Sequence, residues 1–328
     1  MPIRRSHTAD PEKKTLRRAT LPLVLALLAA GLLASGCGSS SDGDAGGDGA
    51  VAAEASPAEG SADLLARAVT AAQGMTSAHY ALDATVSVKA AGQVVNPQVE
   101  MLAQSPFTLH LEGDASETAF TADGSIGFAG QTFTGTFLAG EHELFLNFMG
   151  TWYGTKDTGL ADAEEQGAAG VTANPQEALD AIRGRLDDVL TGDMSEGPGS
   201  DGVETWRFEG TLNVDGLAEL AAELGGEAIP AADLDVLRAI ASASKVVVLF
   251  GRGDSLPRRF EFSLALSGDE LAQLGAGATG LEGVESLNVD VSVDVSDFGK
   301  DVSYDAPAEF APFDELFGQL LGLMGAGA

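Results

Sequence analysis

KVVVLFGRGDSLPRRFEFSLALS, residues 245–267, decides the fold. VVVLF precedes the middle of this stretch and RRFEFSLAL follows it. Both are rich in β-branched and aromatic residues, and Phe260, Phe262, Leu264 and Leu266 alternate with polar neighbours. A period of two is the mark of a strand with one buried face. Between the two runs, Gly251, Gly253 and Asp254 supply the chemistry of a tight reversal, and Leu256 and Pro257 lead back into a strand. The letters GRGDS also spell a cell-adhesion peptide. With strand-forming residues on both sides, the reading is a hairpin, and the sheet it belongs to is antiparallel.

Outward from this hairpin the same period recurs. SLNVDVSVDVSDFG, 286–299, sets Leu287, Val289, Val291, Val293 and Val295 inward. Its opposite face holds Asn288, Asp290, Ser292, Asp294 and Ser296. This is read as a solvated strand face, since the glycine and terminal glutamate of an EF-hand loop are missing. Upstream, ETWRFEGTLN (204–213) is a strand through Trp206 and Phe208. YALDATVSVKA (80–90) alternates strictly, with Tyr80, Leu82, Ala84, Val86 and Val88 on one side. PQVEMLAQ (97–104) is expected as a strand through Val99, Met101 and Ala103, and PFTLHLEGD (106–114) through Phe107, Leu109 and Leu111. SETAFTADG follows, and then QTFTGTFLAG with Phe133 and Phe137. EHELFLNFMGTWYGT carries Leu144, Leu146 and Phe148, then Trp152 and Tyr153. The DG, AG and MG pairs between these runs suit hairpins and a meander.

Helical signals punctuate the strands. SADLLARAVTAAQGM (61–75) has Ser61 as N-cap, Asp63 in its first turn, and Leu64, Leu65, Ala68, Ala72 and Met75 on one side. NPQEALDAIRGRLDDVLTG (174–192) opens with Asn174, Pro175 and Glu177, with Ala178, Ile182, Leu186 and Val189 as its apolar stripe. GDMSEGPGSDG (192–202) is expected to be a loop, and two short helices fall around 215–224 and 231–243. No linker interrupts 61–310, so this stretch is one α+β domain built on a large antiparallel sheet.

The N-terminus gives the compartment. Six basic residues precede an uncharged stretch, LPLVLALLAAGLLASG (21–36), which is short for a membrane span and fits a signal peptide. Cys37, the single cysteine of the chain, follows Ala34, Ser35 and Gly36 directly. This junction resembles the lipobox of bacterial lipoproteins, in which the cysteine receives diacylglycerol before cleavage; Ala34 stands where leucine is commonest. The expectation is a signal peptide at 1–36 and a membrane anchor on Cys37 at the extracytoplasmic face. Residues 37–60 then hold the lipidated cysteine and a Gly/Ser/Ala/Asp-rich tether with a reach of roughly 25–30 Å. A lone cysteine makes no intrachain disulfide, so the exported domain depends on burial for stability.

Charge excludes one class of partner. The whole chain is −31, and removing 1–36 takes away six of 18 basic and two of 49 acidic residues, leaving −35. No basic footprint remains to replace the counterions of nucleic acid.

Catalytic signals are sparse. The histidines are His7, His79, His110 and His142, none with a nucleophile or metal spacing. DGSIG (123–127) is not a nucleophile elbow, and SASK (242–245) has no companion motif. The glycines form no phosphate loop. The reading is a non-enzyme with no cofactor and no metal.

The hairpin VVVLFGRGDSLPRRFEFSL resembles one recurrent in LppX/LprAFG-type actinobacterial lipoproteins, in which a strand, a short Asp/Gly turn and Leu-Pro-Arg return the chain. SAHYALDATVSV after the first helix, GTWYGTKD, GVETWRFEGTLNVDGL and the closing VDVSDFGKDVSYDAPA (293–308) are similar in order to elements of the same group. That group, like the LolA/LolB carriers, implies a curved antiparallel sheet forming a half-barrel, with helices on its concave side and an apolar cavity for acyl chains between them. Carried over to this chain, the resemblance implies cavity positions at Leu82, Val86, Val88, Met101, Leu109, Phe133, Phe137, Leu144 and Leu146. In the second half of the chain it implies Trp206, Phe208, Phe260, Phe262, Leu264, Val289, Val291 and Val293.

Two functions follow as expectations. The first is a membrane-anchored lipoprotein that holds the acyl chains of a lipid or lipoglycan and carries them across the cell envelope, with no covalent step. The second is an envelope module with a solid core that binds a protein, assisting a transporter or sensing the surface. The tail APFDELFGQLLGLMGAGA (311–328), through Phe313, Leu316, Phe317, Leu320 and Leu321, is a short amphipathic helix packed on the sheet or touching the membrane.

Overall fold

The computed structural model describes residues 61–92, 97–116, 118–140, 143–156, 186–200, 202–223, 231–273, 281, 283–313, 315 and 316. Cys37, the signal peptide, the tether, His142 and the helix expected from Asn174 up to residue 185 lie outside the described residues.

Among the described residues, eleven antiparallel strands make one open sheet in the order β6-β5-β4-β3-β2-β1-β11-β10-β9-β8-β7. Two meanders compose it. The first runs outward through β1 (Ser77–Ala90), β2 (Phe107–Ser116), β3 (Ala119–Phe128), β4 (Gln131–Gly140), β5 (Leu144–Phe148) and β6 (Thr151–Thr155). The second returns from the far edge through β7 (Leu190–Glu196), β8 (Thr205–Leu212), β9 (Ser244–Gly251), β10 (Pro257–Ser267) and β11 (Val284–Ser296). They join where β1 pairs with β11, from His79 opposite Ser296 to Ala90 opposite Val284. The large antiparallel sheet with helices is the fold expected from the sequence.

The hairpin of the opening quotation forms with β9 and β10 as its arms, Phe260 opposite Val248 and Phe262 opposite Val246. The carboxylate of Asp254 accepts the Leu256 N–H at 3.0 Å and a guanidinium N–H of Arg258 at 2.5 Å. The acidic residue of GRGDS is thus engaged within its own turn. Two tighter hairpins reverse on Ala129-Gly130 and Met149-Gly150, all four residues at positive φ, as two-residue loops of this kind require.

The helices are α1 (Ser61–Gln73), α2 (Pro97–Gln104), α3 (Leu186–Val189), α4 (Val214–Glu223), α5 (Ala231–Ser242) and α6 (Gly268–Gln273). Two expectations from the sequence are corrected. PQVEMLAQ is helix α2, not a strand: Val99 is buried, and Leu102 and Ala103 pack on the same core. The spacing Val99, Leu102, Ala103 is helical, and a proline fits the first helical turn. Met101, a cavity candidate, accordingly sits on a helix. GDMSEGPGSDG is not all loop, because β7 runs to Glu196 and pairs along β8, with Met194 opposite Phe208. As an edge strand it is largely exposed, and so it shows no apolar alternation.

Beyond β11 the chain runs along the ends of the first meander. The Gly299 N–H donates to the Ser77 carbonyl, and the Ser77 hydroxyl donates to the Lys300 carbonyl. The Tyr304 hydroxyl donates to Glu143 at 3.3 Å. The Phe310 ring meets Phe145 edge-on at 5.1 Å, and Ala311 bridges to Tyr153 on edge strand β6. Leu316 is buried.

Candidate functional site

Strand alternation and register divide the sheet into two chemically distinct faces. On the polar face, His79, Asp83, Thr85 and Ser87 of β1 lie opposite Ser296, Ser292, Asp290 and Asn288 of β11. His110 Nδ1 is 2.8 Å from Asp83, and His79 Nδ1 is 2.9 Å from Asp114. Lys245 reaches Glu209 at 2.5 Å. Hydrogen bonds from Lys245 and then Arg207 hold the Glu209 carboxyl below the usual carboxylate range. Two open hollows of about 380 and 450 Å³ lie on this side. Asp83, Lys245, Glu261, Asp290 and Ser292 help line the first, and His110, Glu112, Asp123 and Thr136 the second. Among the described residues, no group of three or more His, Cys, Asp or Glu could hold a metal ion.

The other face is mainly apolar from β8 to β5. Sixteen of the cavity candidates share it by register. Leu82, Val86 and Val88 lie opposite Val293, Val289 and Leu287. Phe260, Phe262 and Leu264 lie opposite Val293, Val291 and Val289. Leu82 pairs on its other side with Leu111, and Leu109 pairs with Ile126. Ile126 then faces Phe133, Phe137 faces Leu146, and Leu144 sits beside it on β5. Trp206 and Phe208 reach the same face through Phe250 and Val248. Met101 lies on α2, and Cys37 is outside the described residues.

The two halves of this face differ in what covers them. On β8 and β9, Leu64, Leu65 and Ala68 of α1 pack against Trp206, Phe208 and Phe250, the latter two only 1 % exposed. A second cluster joins Val99 of α2, Ile240 of α5 and Leu271 of α6 to Phe262, Leu264, Val291 and Val293. At about 25 cal/mol per Å² of apolar area, each such ring or branched side chain stabilises by about 2 kcal/mol. Helices therefore fill this half. On β2–β5, neither described cluster extends over the apolar face: Leu109, Leu111, Phe133, Phe137, Leu146 and Phe148 are half-buried, Ile126 is 37 % exposed and Leu144 38 %.

This half also contains a pair of facing glycines. Gly124 of β3 pairs directly with Gly135 of β4, and their outer neighbours are Leu111 and Phe148. The side chains of Leu111 and Leu146 lie over that glycine pair. A Cβ on Gly124 would lie 2.3 Å from Leu111 Cδ2. Phe133 stacks on Phe148 at 5.8 Å, with rings 28° apart. Leu111 and Phe148 were within the strands read from the sequence, but the glycine pair had no signal there. DG and isolated Gly read as punctuation, and only register sets two of them side by side.

No protein-family model matches this chain, and no curated protein matches it. Among solved structures, the chain is similar to the lipoprotein LppX of Mycobacterium tuberculosis. The two are 13 % identical over 74 % of this chain and 97 % of that one, with a TM-score of 0.37. LprF from Mycobacterium bovis is 12 % identical over 76 % of this chain and 97 % of its own, also with a TM-score of 0.37. Both names fall within the group whose element order the sequence resembles.

Proposed function

We propose that the protein is a non-enzymatic lipoprotein, anchored through Cys37 at the extracytoplasmic face of the membrane. On this reading it holds the acyl chains of a lipid or lipoglycan on the apolar face of β2–β5 and carries them across the cell envelope. The observation that supports this most is the contrast on one continuous face, with helices packing β8–β11 while aromatic and aliphatic side chains around the Gly124–Gly135 pair stay partly exposed. Soluble proteins seldom expose a large contiguous apolar surface unless it serves a ligand or partner. Each methylene enclosed there favours binding by about 0.8 kcal/mol. Partition alone suffices, and no side chain has to react.

The packing of β8–β11 equally suits the second reading, an envelope module that docks a protein or transporter through β2–β5. Native mass spectrometry separates the two when the chain is exported from a related host and then extracted with organic solvent. The carrier reading expects a discrete extra mass that extraction removes. A clean protein mass that takes up no offered lipid favours protein docking.

A further inference from the structure

One end of the apolar face carries a buried guanidinium. A row of side chains crosses it there from β8 to β1. Trp206 lies opposite Phe250, Phe250 opposite Pro257, and Val295 opposite Tyr80. Arg258 enters this row at the irregularity in β10 between Pro257 and Arg259, on the same alternation as Phe260 and Phe262. It is 7 % exposed, a rare setting for an arginine. Asp254 takes one of its nitrogens, Nη2, and the Phe298 ring lies 4.6 Å from the guanidinium carbon. Among the described residues, Arg258 Nε and Nη1 are buried with no hydrogen-bond partner, and so is the indole Nε1 of Trp206, a residue only 3 % exposed.

These groups can only donate. Guanidinium and indole N–H have no acceptor capacity, and folded proteins seldom leave such groups unmatched. What they lack is acceptor oxygen. A phosphate or carboxylate brings several such oxygens to one place and bonds strongly to a guanidinium. A hydrocarbon chain brings none.

We propose that Arg258 and Trp206 form a site for the anionic headgroup of an amphiphile, phosphate or carboxylate, whose chain lies along the apolar face toward β2–β5. The inference rests on the acyl-carrier reading. β10 is three strand spacings from β2, about 14 Å, and five from β4, about 24 Å. The face between them is continuous through Val293, Leu82 and Leu111. Trp206 lies under α1, while the partly exposed half takes the chain.

The test is calorimetric titration of the exported full chain with three probes: 1-oleoyl-lysophosphatidate, 1-oleoylglycerol and inorganic phosphate. It is run on the wild type, Arg258→Lys and Trp206→Phe, with near-ultraviolet circular dichroism reporting the fold. Arg258→Lys keeps the charge facing Asp254 and removes the spare guanidinium donors. Trp206→Phe keeps a ring and removes only the indole donor, so it remains informative if the arginine variant misfolds. The wild type is expected to bind lysophosphatidate at least about tenfold tighter than oleoylglycerol. Each variant should lose several-fold of that preference. Equal affinity for the two amphiphiles in the wild type, or an unaltered preference in a folded variant, overturns the headgroup site alone. Inorganic phosphate binding as tightly as lysophosphatidate would make this a free-anion site and overturn the headgroup assignment. Binding of neither amphiphile overturns the carrier reading, and this inference with it.

Discussion

The two halves of the apolar face are built from the same kinds of residue and end in different states. On β8–β11, Phe208, Phe250, Phe262 and Leu264 alternate as Phe133, Phe137, Leu146 and Phe148 do on β4 and β5. The first set is buried beneath α1, α2, α5 and α6, and the second is half-exposed. Strand chemistry alone therefore does not distinguish a stabilising core from a surface kept for a ligand. The distinction lies in where the helices attach. Helix α1 enters just before β1 and packs on β8 and β9, while α5 and α6 flank β9 and β10, so the helices gather over the second meander.

The contrast breaks most sharply under a buried charge. Val291→Asp inserts a carboxylate between Ala84 and Phe262 with no cation to meet it, and folding should be lost outright, as read by circular dichroism. Phe133→Asp lies on the partly exposed half and should fold while no longer retaining lipid through purification. If Phe133→Asp retains lipid normally, the ligand lies elsewhere.

A milder pair sharpens the same comparison. Phe208→Ala removes a ring that is 1 % exposed and lies over Gly192 and Gly210, at an expected cost of about 3–5 kcal/mol in urea unfolding. Phe133→Ala should cost about 1 kcal/mol, since less of its surface leaves water on folding. Equal costs would mean that the first meander is packed as densely as the second.

The smallest effect belongs to the polar face. Glu209, on β8, is held by Lys245 and Arg207, and its folded pKa lies below the unfolded value. Its contribution is present above the unfolded pKa and is lost as pH falls through the depressed folded one. Glu209→Gln should therefore lower the thermal midpoint slightly at neutral pH and leave it unchanged once the acid is protonated in both states. Identical deficits across the whole pH range would dissociate Glu209 from that linkage.

Much of this architecture is legible in the sequence because alternation is a local signal. Tyr80 to Val88, Phe260 to Leu266 and Leu287 to Val295 each announce a strand and its buried face. PQVEMLAQ misleads because eight residues accommodate both periods, and only packing of Val99 and Leu102 against the core selects the helix. β7 escapes because an edge strand facing water needs no apolar alternation. The site is less legible than the fold. Pairing of Gly124 with Gly135, and of Trp206 with Phe250, depends on register between strands, which no single stretch encodes. Arg258 reads from sequence as the polar start of a strand, and its burial follows only from Asp254 and Phe298 closing around it.

The most direct measurement is photo-crosslinking of the full chain with a fatty acid bearing a diazirine near the end of its chain, followed by peptide mapping. The expected labels fall between Phe107 and Phe148, around the Gly124–Gly135 pair, and extraction of the ligand before irradiation removes them. Labels confined to β8–β11, or scattered without a preferred strand, would contradict an acyl-binding face on β2–β5.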